Sequence, residues 1–416
     1  SQLGHKVLML EAGRDYDPVK ETPMFNTNGQ APLLGASSID KDFGYYDATV
    51  DGGWTVPNEP YTTGADSEFL WWRARMLGGR TNHWGRFSLR FSEHDFKGYS
   101  RDGLGADWPF DYSELAPWYD KTEALVGVCG TNTGLDDMPD SSDGILQPPP
   151  TPRVPELLLS AAAKKLGIPT APMHRAVLTR PLDGRAACFY ATPCGRGCSI
   201  GAAFQTTTSL IPMAKATGNL EVITDAMVSE IKVDDRGKVT ALDYIDKVSG
   251  RKQTLKARVI ILAASACESA RLLLNSTSAY FPNGLANTSG HVGKNLMDST
   301  GAGLGAHIPA LEGRPRYNED GHTSNHLFIP WWGHEMQAKG LLNFPRGYHF
   351  EVSSGFNPPN AYMGGDYEGY GKSLKDTVKR RYGASMYLSL RGEMLPNKSS
   401  FMEIDDKTKD KWSIPV

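Results

Sequence analysis

The sequence lacks the marks of several classes of protein. It has no run of about 18 apolar residues, so no segment is predicted to span a membrane. Its 44 basic and 47 acidic side chains leave a net charge of −3, which offers no electrostatic basis for binding nucleic acid. Apolar residues make up 40% of the 416 residues and charged residues 22%. This balance excludes a disordered chain, and the length of 416 residues predicts two or three folded domains.

Both ends of the sequence lack features expected of a complete domain. Residue 1 is not Met and no signal-peptide pattern follows it, so the cellular compartment is left open. The apolar run 6–10, closed by Glu11-Ala12-Gly13, is typical of a buried parallel strand, which needs neighbouring strands. Residues 411–416 resemble a strand that is entered and then cut. We therefore expect the sequence to be part of a longer protein.

Periodicity and turn residues predict the secondary structure in the middle of the chain. Helices are predicted at 112–126, where Asp111 can act as N-cap, at 155–166 and at 268–274. Alternating apolar and polar residues predict an antiparallel meander with strands at 220–224, 228–233, 239–246 and 253–256. The continuous apolar run 258–264 predicts a further buried parallel strand.

Two adjacent glycines, Gly78 and Gly79, lie in the segment RARMLGGRTNHWGR at 73–86. Their backbone could approach a flat ligand or its diphosphate closely, and the nearby arginines suit phosphate. An ordinary tight turn is the alternative. Glu11, at the end of the first strand, could accept both hydroxyls of a nucleotide ribose. The alternative for Glu11 is an exposed acid at a strand end.

Three of the five cysteines fall within eleven residues, as Cys188, Cys194 and Cys198. Thiolates in a loop rich in Gly and Pro could hold an iron–sulfur cluster or zinc. The spacing matches neither common ferredoxin pattern, although a three-iron cluster needs only three thiolates. A disulfide with one further thiol, or three reduced cysteines, are the alternatives. Most other histidines, which include His94 and His334, are expected to be structural or exposed.

Several segments, in order along the chain, resemble the glucose–methanol–choline (GMC) oxidoreductases, FAD-dependent enzymes that oxidise alcohols and sugars. KVLMLEAGR resembles the second Rossmann strand with its ribose-binding acid, and RARMLGGRTNHWG resembles the glycine-pair signature. ARVIILAASACESARLLLNS resembles the second signature, usually with Gly where Ser265 stands. The segments at 284–299 and 407–416 are also similar to the family.

The resemblance implies an α/β fold, α+β overall, with a Rossmann-like FAD-binding domain that carries an antiparallel meander, plus a substrate domain built on an antiparallel sheet. Residues 1–95 and 205–305 would form the FAD-binding domain, without its N-terminal glycine turn. Residues 96–204 would form a cap and cysteine-loop region, and 306–416 the substrate-binding domain without its C-terminal catalytic segment. The catalytic residues are therefore unknown, and we expect them beyond Val416.

The resemblance also implies which residues contact FAD. They are Glu11, Gly78, Gly79, Arg80, Thr81, Asn82, His83, Val228 and Ala264. His83 stands where pyranose oxidases, whose glycine-pair loop is similar, bind the flavin covalently. A covalent bond through His83 is one hypothesis, and packing of its ring against the isoalloxazine edge is the other.

The cysteine loop resembles that of bacterial sugar and glucoside 3-dehydrogenases of the family. Some of these carry a three-iron cluster that passes electrons to a cytochrome. The resemblance thus implies a sugar or alcohol substrate, and a cytochrome, another electron acceptor or a small subunit as partner. In such enzymes a base takes the hydroxyl proton while hydride passes from the carbinol carbon to flavin N5. The alternative is a catalytically incomplete GMC-fold fragment that acts as a non-enzymatic binding or metal-binding module.

Overall fold

The computed structural model describes residues 1–22, 30, 32–35, 52–53, 55–190, 197–315, 326–354 and 369–416. The strands are β1 Val7–Leu10, β2 Gly52–Gly53, β3 Arg73–Ala74, β4 Ala171–Pro172, β5 Leu220–Ile223, β6 Ala226–Val233, β7 Val239–Asp246, β8 Lys252–Lys256, β9 Thr300–His307, β10 Leu327–Ile329, β11 Tyr348–Ser354 and β12 Ser385–Gly392. The α-helices are α1 Pro18–Glu21, α2 Glu93–Phe96, α3 Gly98–Asp102, α4 Tyr112–Val126, α5 Val154–Lys165, α6 Leu210–Ala216, α7 Ala266–Asn275, α8 His334–Ala338 and α9 Gly371–Arg381.

The chain divides into two compact units. The first unit consists of Ser1–His83, Gln205–Met297 and Pro396–Val416, and the second of Trp84–Phe204 and Asp298–Leu395. Each unit is therefore built from segments that are far apart in the sequence. The functional labels that the resemblance gives to the ranges 1–95, 96–204, 205–305 and 306–416 stay predictions.

The first unit contains a short parallel sheet. β1 pairs in parallel with β5, from Val7 opposite Leu220 to Leu10 opposite Ile223. The parallel strand predicted at 6–10 is thus present, but it is not buried, because Val7 and Leu8 are exposed. The prediction that 220–224 belongs to the meander was wrong, since this strand takes β1 as its partner. Alternation of apolar and polar residues indicates that a segment is a strand, but it does not indicate which sheet contains that strand.

A three-stranded antiparallel meander, β6–β7–β8, follows in the first unit. It confirms the remaining three predicted strands. α7 packs on it through a cluster formed by Ile231, Leu272 and Leu285. The Ser276 hydroxyl at the end of α7 accepts the N–H of Ile231 at 2.9 Å, which fixes the helix on the sheet.

The apolar run 258–264 does not form the predicted strand. Within the described part of the first unit, no strand runs alongside it to accept its backbone hydrogen bonds. Ile260 and Leu262 pack against the cluster at Ile231, whereas Val259 and Ile261 are 75% and 85% exposed. The apolar residues of this segment therefore pack one of its faces on the core. The segment forms no strand, because a sheet also requires neighbouring strands.

The second unit is built on a five-stranded antiparallel sheet in the order β4–β10–β11–β12–β9. Leu327, Ile329, Val352 and Met386 form the core on this sheet. α4 has the bounds predicted from the sequence, with Asp111 as its N-cap in a capping box with Glu114. The helices predicted at 155–166 and 268–274 are also present, as α5 and α7.

Among the residues with described positions, no helix is long and apolar enough to cross a membrane.

The meander has a buried carboxylate that generates a prediction about stability. Asp243 of β7 accepts hydrogen bonds from the ammonium groups of Lys232 and Lys252, both at 2.8 Å, and from the Thr254 hydroxyl at 2.7 Å. Burial acts to raise the pKa of Asp243, but these three donors outweigh it and lower the pKa to about 2. The folded state therefore prefers the ionised carboxylate more than the unfolded state does.

We expect Asp243→Asn to lower the free energy of unfolding at pH 7 by about 1–2 kcal/mol. The ion pairs are fully formed above the ordinary pKa of an aspartate, and their contribution is lost as the pH falls from there toward 2. The difference between the variant and the wild type should therefore shrink below about pH 4. Urea unfolding measured from pH 7 to pH 3 tests this. Asp235→Asn, in the exposed β6–β7 turn, is the matched control, and an equal loss in both variants would contradict the assignment.

Candidate functional site

The carboxylate of Glu11 lies at the C-terminal end of β1. Its backbone N–H donates to Ile223 at 2.9 Å, and its Oε1 accepts the N–H of Gly13 at 2.7 Å. In the described part of the chain, no other donor forms a hydrogen bond with this carboxylate. Burial raises the pKa of Glu11, and this effect exceeds the opposing effects of the Gly13 N–H, Arg75 and Lys247. The side chain therefore has acceptor capacity left for a ligand hydroxyl.

Gly13 brings the glycine-pair loop against the end of β1. A Cβ at this position would lie 1.9 Å from the carbonyl carbon of Arg75 and 2.0 Å from the nitrogen of Met76. Only a glycine therefore allows these two backbones to meet. The N–H of Leu77 donates to the carbonyl of Arg14 at 2.8 Å and holds the contact. Glu11 and the Gly78–Gly79 loop, predicted separately from the sequence, are thus neighbours.

The two glycines of the pair have different surroundings. Both adopt a positive φ, +88° at Gly78 and +50° at Gly79, and a 3₁₀-helix follows at Gly79–Asn82. A Cβ on Gly78 would lie 2.8 Å from Thr207 Cγ2 and 2.9 Å from Asn82 Oδ1, whereas one on Gly79 would meet nothing within 4 Å. Packing thus requires the first glycine, while the second has open space beside its Cα, although its N–H already donates to the Met76 carbonyl at 2.9 Å.

The residues after the glycine pair fix the loop through side-chain hydrogen bonds. Asn82 is 0% exposed; its amide nitrogen donates to Leu77 at 3.0 Å and its Oδ1 accepts the Thr207 hydroxyl at 2.9 Å. The Thr81 and Thr206 hydroxyls are 2.9 Å apart. Thr206 and Thr207 therefore support the loop. The sequence did not reveal this role, because these residues lie about 125 positions from Thr81 and Asn82.

The other predicted cofactor residues lie at the edges of this loop, on the meander or just before α7. Arg80 is exposed, and His83 is half-buried with its ring centroid 6.0 Å from that of Trp72. Val228 is half-buried and packs on the cluster at Ile231, and Ala264 is exposed just before α7. The first unit thus contains all of these positions, and their role at a cofactor stays a prediction.

Ser265, the N-cap of α7, has φ +75° and ψ 170°. This backbone region is favourable almost only for glycine. The backbone at this position therefore favours Gly, which is the residue that the family usually has there. Ser265 accordingly holds a strained turn at the start of the helix.

Five charged side chains form a continuous ion network in the first unit. Arg75, in the glycine-pair segment, pairs with Glu59 at 2.7 Å and with Glu268 of α7. Arg271, one turn along α7, pairs with Glu268 at 3.4 Å and with Asp410 at 2.8 Å. Burial acts to lower the pKa of Arg75, but Glu268 and Glu59 outweigh it and raise the pKa. The network joins four distant segments, and no sequence motif pointed to it.

The cysteine loop is described only in part. Cys194 lies outside the described residues. Cys188 is half-buried and its sulfur accepts the N–H of Tyr190 at 3.4 Å; Cys198 is buried and its sulfur accepts the N–H of Ala203 at 3.4 Å. These contacts do not distinguish a cluster from a disulfide or from reduced thiols. The metal site at Cys188, Cys194 and Cys198 therefore stays a prediction.

Comparison with known proteins gives the same family as the sequence motifs. Residues 29–300 match the family model described as GMC oxidoreductase. The chain is 30% identical, over its whole length, to a 2-methyl-1,2-propanediol dehydrogenase from Mycolicibacterium austroafricanum, of which it covers 72%. It is 28% identical to the fructose dehydrogenase large subunit from Gluconobacter japonicus, with 82% of this chain and 60% of the relative aligned. A 6'''-hydroxyparomomycin C oxidase from Streptomyces lividus is 32% identical over 59% of this chain and 43% of the relative.

Solved structures support the fold independently of these sequences. A structure of formate oxidase from Aspergillus oryzae, concerned with the effect of a mutation on FAD modification, superposes with a TM-score of 0.54. The alignment covers 99% of this chain and 72% of the oxidase at 13% identity, so it bears on the fold alone. Together with the parallel pair, the meander and the five-stranded sheet, it confirms the fold class predicted from the sequence.

The unequal surroundings of the two glycines predict unequal costs of substitution. We expect Gly78→Ala to lower the free energy of unfolding by about 2–4 kcal/mol, because strain at positive φ adds to a clash in a packed site. Gly79→Ala should cost about 1 kcal/mol, since only the backbone strain applies. Urea unfolding of the two variants measures the difference. Equal costs at both positions would show that the packing around Gly78 is not as described.

Proposed function

The chain belongs to the GMC oxidoreductase family, and we propose from this that the protein is a FAD-dependent enzyme that oxidises CH–OH groups. The observation that carries the proposal is the meeting of Glu11 with the Gly78–Gly79 loop at the end of a parallel strand. A ribose-binding acid beside an open, positive-φ backbone is the arrangement that a dinucleotide needs.

The residues present fit FAD on two counts. The half-buried carboxylate of Glu11 has acceptor capacity left after its bond to the Gly13 N–H, and a ribose diol supplies two donors. The open space at the Cβ position of Gly79 leaves room for a ligand to approach the backbone. Glu11 would hold the ribose, and the Gly79 backbone would lie against the flavin or its diphosphate.

When bound, FAD supplies the two-electron chemistry, by accepting hydride from a carbinol carbon. The protein's own part is to bind and orient. Arg75 fixes the glycine-pair loop through its ion pairs with Glu59 and Glu268, and Asn82 fixes it through its hydrogen bond to Leu77. Gly13 keeps this loop against the turn that carries Glu11. A rigid support of this kind limits how far a bound cofactor can shift relative to a substrate.

We propose a sugar or glycoside as the substrate, with a smaller diol as the second candidate. The relatives are named for oxidation of a propanediol, of fructose and of aminoglycosides, all of which carry several hydroxyl groups. The diol candidate is favoured by the alignment that covers the whole chain. Two further proposals depend on the cysteine loop. One is an iron–sulfur cluster. The other is a partner, which would be a cytochrome, another electron acceptor or a small subunit.

We expect the purified full-length gene product to bind FAD and to reduce a dye when a substrate is supplied. A panel of fructose, glucose, glycosides, 1,2-diols and simple alcohols separates the sugar from the diol proposal. Glu11→Gln should weaken FAD binding at least about tenfold, because a charged acceptor is lost, with affinity measured by quenching of flavin fluorescence. Glu221→Gln, on the adjacent strand β5 and exposed, should bind FAD like the wild type.

A protein without flavin and without dye reduction on any member of this panel would contradict the enzyme proposal. It would favour a non-enzymatic binding or metal-binding module of the same fold.

The covalent hypothesis for His83 has a separate test. If the ring is bonded to the flavin, acid precipitation of the full-length protein should leave the yellow colour in the pellet. His83→Ala should then release the flavin into the supernatant, while the Ala variant of the half-buried neighbour Trp72 should not. Flavin found wholly in the wild-type supernatant would leave packing of His83 against the isoalloxazine as the remaining interpretation.

A further inference from the structure

Three side chains of the second unit, two imidazoles and a carboxylate, lie close together although no sequence motif predicts this. His94 is the second residue of α2, Asp137 lies in the turn between Leu135 and Met138, and His334 is the first residue of α8. One ligand atom from each lies within 4.8 Å of the others. The residues are separated by about 40 and 200 positions in the sequence, so no spacing motif exists for them.

The contacts within this cluster point to a shared ligand. His334 donates from Nε2 to Oδ2 of Asp137 at 2.6 Å, and its ring stacks on that of His94 with centroids 3.9 Å apart and an interplanar angle of 21°. The ring of His94 has no hydrogen bond to any residue whose position is described, and Nδ1 of His334 is buried without one. A simple His–Asp pair explains His334 and Asp137 but leaves His94 without a role.

The carboxylate is held in place from behind. The Ser92 hydroxyl shares its one proton between Oδ1 of Asp137 at 3.2 Å and Oδ2 of Asp95 at 3.1 Å, and Oδ2 of Asp137 faces His334. Ser92 is also the N-cap of α2, the helix that carries His94, and its N–H is accepted by Asp95 at 2.6 Å. Such an outer hydrogen bond to a ligating carboxylate is a common feature of metal sites.

We propose that His94, Asp137 and His334 bind a Zn²⁺ ion. Two neutral imidazoles and one carboxylate are ligands that zinc accepts, whereas Ca²⁺ and Mg²⁺ prefer oxygen ligands throughout. The ion would take the place of the proton between Nε2 of His334 and Oδ2 of Asp137, and the neutral imidazole would carry that proton on Nδ1 instead. Metal–ligand bonds of about 2.0–2.1 Å require the ligand atoms to stand roughly 3.4 Å apart, which small side-chain rotations supply. Because all three side chains are only half-buried, water can complete the coordination.

The ion would join the two helices and the turn of the second unit that carry the ligands. The test uses the full-length protein, freed of metal by a chelator and titrated with Zn²⁺ by calorimetry. His94→Ala and His334→Ala should each weaken one Zn²⁺ site at least about tenfold. His307→Ala is the matched control, since His307 pairs with Glu312 at 3.0 Å without a third ligand, and it should leave this site unchanged.

The predicted cysteine site requires its own control. Cys188→Ser removes one of the three predicted thiolate ligands, which should weaken metal binding at the cysteines, and it should leave the site at His94 intact. Co²⁺ in this variant should give visible d–d bands without the near-ultraviolet bands of thiolate ligation. Circular dichroism of every variant checks the fold, and His94→Gln retains a polar side chain if the Ala variant unfolds. The proposal is overturned if Cys188→Ser binds no Zn²⁺, or if folded His94 and His334 variants bind it as the wild type does.

Discussion

The five-residue ion network of the first unit is the interaction on which the candidate site depends. Burying charges is costly unless each is paired, and removal of one partner from a buried pair costs about 3–5 kcal/mol. Arg75 and Arg271 therefore fix the relative positions of the glycine-pair segment, α7 and the C-terminal segment at Asp410. Backbone contacts at Gly13 add Glu11 to this frame. Specific ion pairs, and not only apolar packing, therefore support the candidate site.

Much of the fold could be predicted because its signals are local. The capping residue and apolar face of α4 lie within sixteen residues of each other, and the turns of the meander separate its strands by a few positions. The failures concern partners that are far away in the sequence. Residues 220–223 pair with β1, and 258–264 find no neighbouring strand in the described structure. A strand pattern indicates which face is apolar, but not which strand lies beside it.

The same division holds for the candidate site. Glu11 and the glycine pair could be predicted as site residues because dinucleotide sites are typically encoded in short motifs. The support by Thr206 and Thr207 and the ion network could not, since each joins residues that only the folded chain brings together. The meeting of His94 with His334 has the same origin. Motifs therefore predicted which residues contact a ligand, and the structure added what holds those residues in place.

Gly13 has a consequence for how this sequence can change over time. Every coded residue other than glycine carries a Cβ, and at position 13 that atom would fall on the peptide bond between Arg75 and Met76. Any missense change of this codon therefore separates two segments that are some sixty residues apart. A neighbouring position such as Asp15, whose exposed side chain accepts the N–H of Tyr16 at 3.0 Å, is under no comparable steric restriction. One codon thus restricts the paths by which descendants of this protein could keep the turn that carries Glu11.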